Sequence, residues 1–233
     1  MAKDVIIACD FSSREETMAF LEQFTEEKPF VKIGMELFYA TGLDMVREIK
    51  ARGHKVFLDL KLHDIPNTVR KAMKNLALAG ADMCNVHAAG TKAMMQAGLE
   101  GLQEGSNSKP ILIAVTQLTS TSEEVMRDEL MIQGSMEEVV QSYAANAKEA
   151  GLNGVVCSPL EAGLVHEKCG KDFLTVTPGV RLAGDSADDQ KRITTPKKAA
   201  ELGSDYIVVG RSITKATDPV AAYKRCVAEF LGE

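Results

Sequence analysis

Eight short apolar runs, rich in β-branched residues, recur along the chain: DVIIACD, FVKIGM, KVFLDLK, DMCNVHA, PILIAVTQL, NGVVCSP, FLTVTPG and DYIVVGR. They carry little of the alternation seen in a half-exposed strand, which is the signature of strands covered on both faces. Between them, segments such as MVREIKARG and TVRKAMKNLALAG show helical periodicity. Four of these units close alike, in ARGHKV, LAGADM, EAGLNG and ELGSDY. Each places a glycine (Gly53, Gly80, Gly151, Gly203) between a helix and the next strand, where a left-handed residue stops the helix. Strand and helix alternating eight times predict an α/β protein with a parallel sheet, closed as a (β/α)8 TIM barrel, a single domain over residues 1–233. An open doubly wound sheet is the alternative. Its dinucleotide-binding form lacks support, because the first strand ends in ACDFSS and no G-x-G-x-x-G follows.

In a barrel of this kind the chemistry gathers where the strands end. The third run continues as VFLDLKLHDIPNT, which sets Asp59, Lys61 and Asp64 within six residues. Alternation of side chains along a strand predicts that Asp59 and Lys61 share a face. Pro66 disfavours helical geometry at Ile65, so Asp64 is expected in a tight loop. Asp10 follows the first strand, Lys32 lies in the second and His87 ends the fourth. These charges could be buried ion pairs that set strand register. Burying them is costly without full pairing, and an alternating network of acids and lysines at the barrel mouth reads better as catalytic. Carboxylates around Lys61 favour its ammonium form, which makes it a proton donor and argues against a Schiff-base aldolase. His87 is left outside the catalytic set, and His63 and Cys169 read as surface-loop residues.

The eighth run ends in Gly210-Arg211, where barrels often bind phosphate. Glycine lets an anion approach the backbone and arginine offers a forked donor, although a turn glycine beside a surface arginine would look the same. Arg181, after TVTPG, adds a second cation at the adjacent strand end. Two connections are long, TSTSEEVMRDELMIQGS after the fifth strand and RLAGDSADDQKRITTP after the seventh, and both are expected to be lids or binding loops.

Composition narrows the ligands. A formal net charge of -6 leaves no general basic face for nucleic acid or an anionic membrane, so an anionic ligand must meet a local positive pocket. The N-terminal MAKDVIIACD is too short an apolar run for a signal peptide, and no stretch approaches a membrane span, so the chain reads as cytoplasmic. Five scattered cysteines form no C-x-x-C pair, and four histidines lack ligand spacing, so no metal site is expected.

With these residues in view, FLDLKLHDIPNT resembles the D-x-K-x-x-D-I-P-x-T signature of the orotidine 5′-monophosphate decarboxylase family. VIIACDFSS, VKIGMELF, TVTPGVR and YIVVGRSIT resemble the same family, so the likeness covers essentially the whole chain. The resemblance to its bacterial type implies a (β/α)8 homodimer, without metal or organic cofactor, that converts orotidine 5′-monophosphate to UMP and CO2. It implies Asp10 and Lys32 on the ribose hydroxyls, Asp59 beside the substrate carboxylate and Lys61 as proton donor. Asp64 and Thr68 are implied to reach the partner subunit's site, Thr119 to contact the pyrimidine, and Arg181, Gln190, Gly210 and Arg211 to hold the phosphate. The nearest rival is a related barrel that uses Mg²⁺ on sugar phosphates. It places an acidic ligand where this chain has Lys32, whose charge would repel the ion. A non-catalytic nucleotide-binding barrel is a further alternative, opposed by the intact Asp59, Lys61 and Asp64 set.

Overall fold

The structure is a computed structural model that describes residues 3–184 and 194–232. The eight apolar runs form eight parallel strands: β1 (Asp4–Ala8), β2 (Phe30–Gly34), β3 (Val56–Leu62), β4 (Met83–His87), β5 (Ile111–Val115), β6 (Gly154–Val156), β7 (Leu174–Val180) and β8 (Tyr206–Val209). They pair in sequence order, and β8 returns to β1, which closes the (β/α)8 barrel. Closure leaves no sheet edge unpaired.

The two faces of each strand serve different cores. Val5, Ile7, Val31, Ile33 and Leu58 join the large cluster packed under the helices. Their neighbours Ile6, Ala8, Phe30, Phe57, Met83, Ile113, Val176 and Val208 form a separate, smaller cluster. This is the filled interior of the barrel, and it explains why the runs look continuously apolar. One inward position further along, the residues turn polar: Asp10 after Ala8, Lys32 after Phe30, Asp59 after Phe57 and Asn85 after Met83. The apolar layer therefore forms a floor, and on β1 to β4 an arc of polar groups sits above it at the C-terminal ends of the strands, while β5 to β8 continue with Val115, Val156, Pro178 and Gly210.

The connecting helices are α1 (Arg14–Leu21), α2 (Met35–Thr41), α3 (Leu43–Ala51), α4 (Pro66–Leu78), α5 (Thr91–Gly105), α6 (Glu123–Asp128), α7 (Met136–Glu149), α8 (Ala162–Cys169), α9 (Pro196–Glu201), α10 (Arg211–Thr214) and α11 (Pro219–Leu231). Gly53, Gly80, Gly151 and Gly203 all take positive φ, between 85° and 96°, as their place after a helix predicted. Pro66 occupies the first helical position of α4, where its missing N–H costs nothing. Against α4 lies α5, drawn in by Gly98, Gly101 and Gly105, and a side chain on Gly101 would collide with the Arg70 carbonyl. No helix among the described residues is long and apolar enough to cross a membrane.

One reading changes and another gains detail. Cys169, expected in a surface loop, ends α8 with its side chain buried, because it is the last core-facing position of that helix. The long connection after β5 is partly helical: Ser122 caps α6, whose Met126 is fully buried, and Glu123 accepts from the Met136 N–H at 3.0 Å. A buried anchor and a cap tie that segment down, and its start, from Gln117 to Ser120, lines the barrel mouth.

Candidate active site

A cavity of about 730 Å³ opens above the barrel floor. Phe57, Val115, Val156, Val176 and Val208 pave its base, and Asp10, Lys32, Asp59 and Lys61 stand along one wall. Arg181, Gly210 and Arg211 lie on another side. Thr119 lines the entrance from the β5 side.

The charged wall is a chain of alternating sign. Lys32 Nζ donates to Asp10 Oδ1 at 2.7 Å and lies 3.5 Å from Asp59 Oδ2, while Lys61 Nζ donates to Asp59 Oδ1 at 2.6 Å. Burial opposes the Lys32 charge, but Asp10 and Asp59 outweigh it and hold the ammonium above the ordinary lysine range. Burial likewise opposes the Asp59 charge. The Lys32 and Lys61 ammonium groups, with hydrogen bonds from Lys61 and Asn85, overcome it and keep the carboxyl below the usual carboxylate range. At neutral pH both groups are ionised.

Lys61 meets Asp59 by a route that alternation did not predict. From Leu58 to Leu62 β3 advances four residues while β4 advances two, from Cys84 to Val86, so β3 carries a two-residue irregularity. Lys61 sits inside it with φ of 50°, the left-handed region that non-glycine residues adopt at a cost of about 1–2 kcal/mol. Bulges of this kind re-aim side chains beside active sites. A second one serves the arginine side: β7 advances three residues from Thr177 to Val180 against two in β8, with Gly179 at φ of 80° supplying the turn. The backbone beyond it is pinned, since the Arg181 N–H donates to Thr194 at 2.9 Å and the Thr194 N–H to Gly179 at 3.1 Å. The Leu182 N–H donates to Ser212 Oγ at 3.2 Å, which ties this segment to α10. Gly210 in turn accepts from the N–H groups of Ile213 and Thr214 at 2.8 and 3.0 Å. Arg181 and Arg211 are thus brought to neighbouring positions on one rim.

Asp64 and Thr68 are exposed and are not among the residues that line the cavity. Asp64 Oδ1 accepts from the Ile65 N–H at 2.6 Å, in the tight turn expected before Pro66, and makes no ion pair among the described residues. Gln190 lies outside the described residues. His87 stacks on His63, with ring centroids 5.8 Å apart. Burial, then His63 and Lys61, lower its pKa, so it is neutral at pH 7. No three His, Cys, Asp or Glu side chains converge as a metal-ligand set among the described residues.

Asn85 escaped the reading of the sequence. Its side chain is 1% exposed, and Nδ2 donates to Asp59 Oδ1 at 2.7 Å while Oδ1 accepts from the Lys61 N–H at 2.8 Å. The signal was present: a lone asparagine in a strand buried on both faces must find partners there.

A parallel barrel with alternating acids and lysines at its strand ends, facing two arginines across an apolar floor, defines a (β/α)8 enzyme for a small anionic substrate. Residues 3–226 match the Orotidine 5'-phosphate decarboxylase / HUMPS family, and the chain belongs to that family. It is 55% identical to the orotidine 5'-phosphate decarboxylase of Bacillus cytotoxicus, over 100% of this chain and 99% of the relative. A crystal structure of orotidine 5'-phosphate decarboxylase from Lactobacillus acidophilus superposes with a TM-score of 0.89 at 45% identity, covering 98% of this chain and 99% of the other. An uncharacterized conserved protein from Geobacillus kaustophilus superposes with a TM-score of 0.88 at 51% identity, covering 97% and 99%.

Proposed function

We propose that the protein decarboxylates orotidine 5′-monophosphate to UMP and CO2, with Lys61 as the proton donor and without metal or organic cofactor. The observation that carries the mechanism is the Lys32–Asp59–Lys61 chain, which lines the cavity beside an apolar floor with Lys32 buried and Asp59 and Lys61 partly buried. Loss of CO2 leaves an electron pair on the ring carbon with little resonance relief, so fixed charge must stabilise it. The Lys61 ammonium supplies that charge and then the proton, forming the new C–H bond, and it is reprotonated from solvent. Asp59 holds the ammonium in place and sets a carboxylate beside the departing one. That contact raises the ground state and is relieved as CO2 leaves.

Asp10 and Lys32 bind the ribose hydroxyls, and Thr119 the pyrimidine. Arg181, Gly210 and Arg211, together with Gln190, hold the phosphate, whose binding energy is spent on closing the site around the reacting carbon. Asp64 and Thr68 serve the partner subunit's site in a homodimer, a reading supported by their exposure and by their absence from the lining of their own subunit's cavity. Independence from Mg²⁺ is supported by the Lys32 ammonium, 2.7 Å from Asp10 and 3.5 Å from Asp59, which would repel a divalent ion beside those carboxylates.

The test follows orotidine monophosphate absorbance with purified protein, with and without EDTA, and repeats it with Lys61→Ala. Chelator-insensitive turnover that falls roughly 1,000-fold or more in the variant is expected, at the upper end of what a positioned general acid contributes. Turnover that needs Mg²⁺, or a fully active variant, overturns the mechanism.

A further inference from the structure

We infer that Asn85 is a positioning residue for the reaction, one side chain that clamps the Asp59 carboxylate and the Lys61 backbone together. This deepens the decarboxylase reading, and its kinetic arm rests on that reading. Asn85 occupies the inward position of β4 directly above Met83, in the same polar arc as Asp10, Lys32 and Asp59. The orientation of its amide is determined by its partners. The NH2 group meets a carboxylate, at 2.7 Å, and the carbonyl meets an N–H, at 2.8 Å; a flipped amide would set like against like at both ends.

The two bonds act on different parts of the catalytic pair. The shifted register of β3 takes the Lys61 N–H out of the regular ladder, and Asn85 Oδ1 receives it. That bond holds Lys61 in its left-handed conformation, φ of 50°, and so sets where its side chain leaves the strand. The other bond occupies Asp59 Oδ1, the same oxygen that receives the Lys61 ammonium at 2.6 Å. Nδ2 therefore fixes the carboxylate rotation that presents Oδ1 to Lys61 and Oδ2 to Lys32. Asn85 does not itself line the cavity, so it acts through these two residues.

The experiment compares wild type with Asn85→Leu, which removes both bonds at similar volume, and Asn85→Asp, which keeps the shape and the acceptor but replaces the donor. Asn85→Leu is expected to lower kcat roughly 10- to 100-fold with KM within about threefold, the result of misplacing groups that act in the transition state. In Asn85→Asp the new carboxyl must share a proton with Asp59. Asp59 is faced by Lys61 on its own strand, by Lys32 on β2 and, behind Lys32, by Asp10, while His87 at the end of β4 faces Lys61. The ratio of variant to wild-type kcat is expected to rise as pH falls from about 8 to about 6, since protonation restores a donor to Asp59. A merely structural asparagine gives a ratio that does not change with pH. If Asn85→Leu does not fold, Asn85→Asp decides alone. A ¹³C NMR titration of the Asp59 carboxyl, expected to move to higher pH in either variant, reads the clamp without turnover. Active wild type with both variants within about twofold in kcat, or an unmoved Asp59 titration, overturns the inference; inactive wild type overturns the decarboxylase reading and leaves the titration to decide the clamp.

Discussion

The Lys61 ammonium and the Asp59 carboxylate meet at 2.6 Å across a strand irregularity, with Lys61 in a left-handed backbone conformation. In a regular strand their side chains would stand parallel, about two residues' rise apart. The bulge converts that parallel arrangement into contact, and the surrounding strands keep it there. Strained backbone at a site of this kind persists only where the neighbours over-determine it.

Room for the charged chain depends on Gly34, which pairs with Asp59 at the end of β2. A Cβ there would lie 3.2 Å from Asp10 Oδ1 and 3.3 Å from Lys32 Nζ. Gly34→Ala is expected to lower kcat/KM roughly tenfold or more by displacing Lys32, with little change in Tm. Unchanged kinetics in the variant would show that the pair has slack.

Asp64 and Lys61 belong to different sites if the active sites are shared between subunits. Equimolar Lys61→Ala and Asp64→Ala homodimers, each nearly inactive, are expected to recover about a quarter of wild-type activity after subunit exchange, because half of the dimers are mixed and each of these holds one intact site. No recovery, with exchange confirmed by mass, would place Asp64 in its own subunit's chemistry.

The ionisation of Asp59 makes a stability prediction. Its folded-state pKa lies below the ordinary value, so its contribution is present above about pH 4 and is lost as pH falls through the folded value. Lys32 is shifted upward, so its contribution is present at neutral pH and is lost only as pH rises through its folded value. Asp59→Asn is therefore expected to be about 1–3 kcal/mol less stable than wild type at pH 7, with the difference shrinking below about pH 4. Urea midpoints across that range measure it, and a difference independent of pH would count against the ion-pair account.

Gly101 makes a contrary prediction for a helix. Glycine to alanine inside an exposed helix ordinarily stabilises by about 1 kcal/mol. Here the added Cβ would strike the Arg70 carbonyl of α4. Gly101→Ala is expected to destabilise by about 1–3 kcal/mol through separation of α4 from α5, seen as a lowered Tm. A raised Tm would mean that the helices part without cost.

The barrel was legible in the sequence because its signals are local. Eight apolar runs, glycines such as Gly53 and Gly203 at the helix ends, and Pro66 at a helix start each follow from the conformational limits of single residues and the periodicity of one element. The charged residues were legible for a similar reason: Asp10, Lys32 and Asp59 each fall two residues beyond an inward apolar side chain. What alternation could not reveal was the β3 irregularity, since register is a property of two strands and depends on what β4 offers opposite. Asn85 therefore passed as one polar residue in an apolar run, although it contacts both Asp59 and Lys61. Asp64 shows the opposite limit: three residues from Lys61 in sequence, it is not among the residues that line the cavity and makes no ion pair among the described residues. Sequence determined which groups stand at the barrel mouth, because side-chain direction along a strand is a two-residue rule; only tertiary structure decided which of them touch, because contact between strands is set by register, bulges and the side chains that satisfy them.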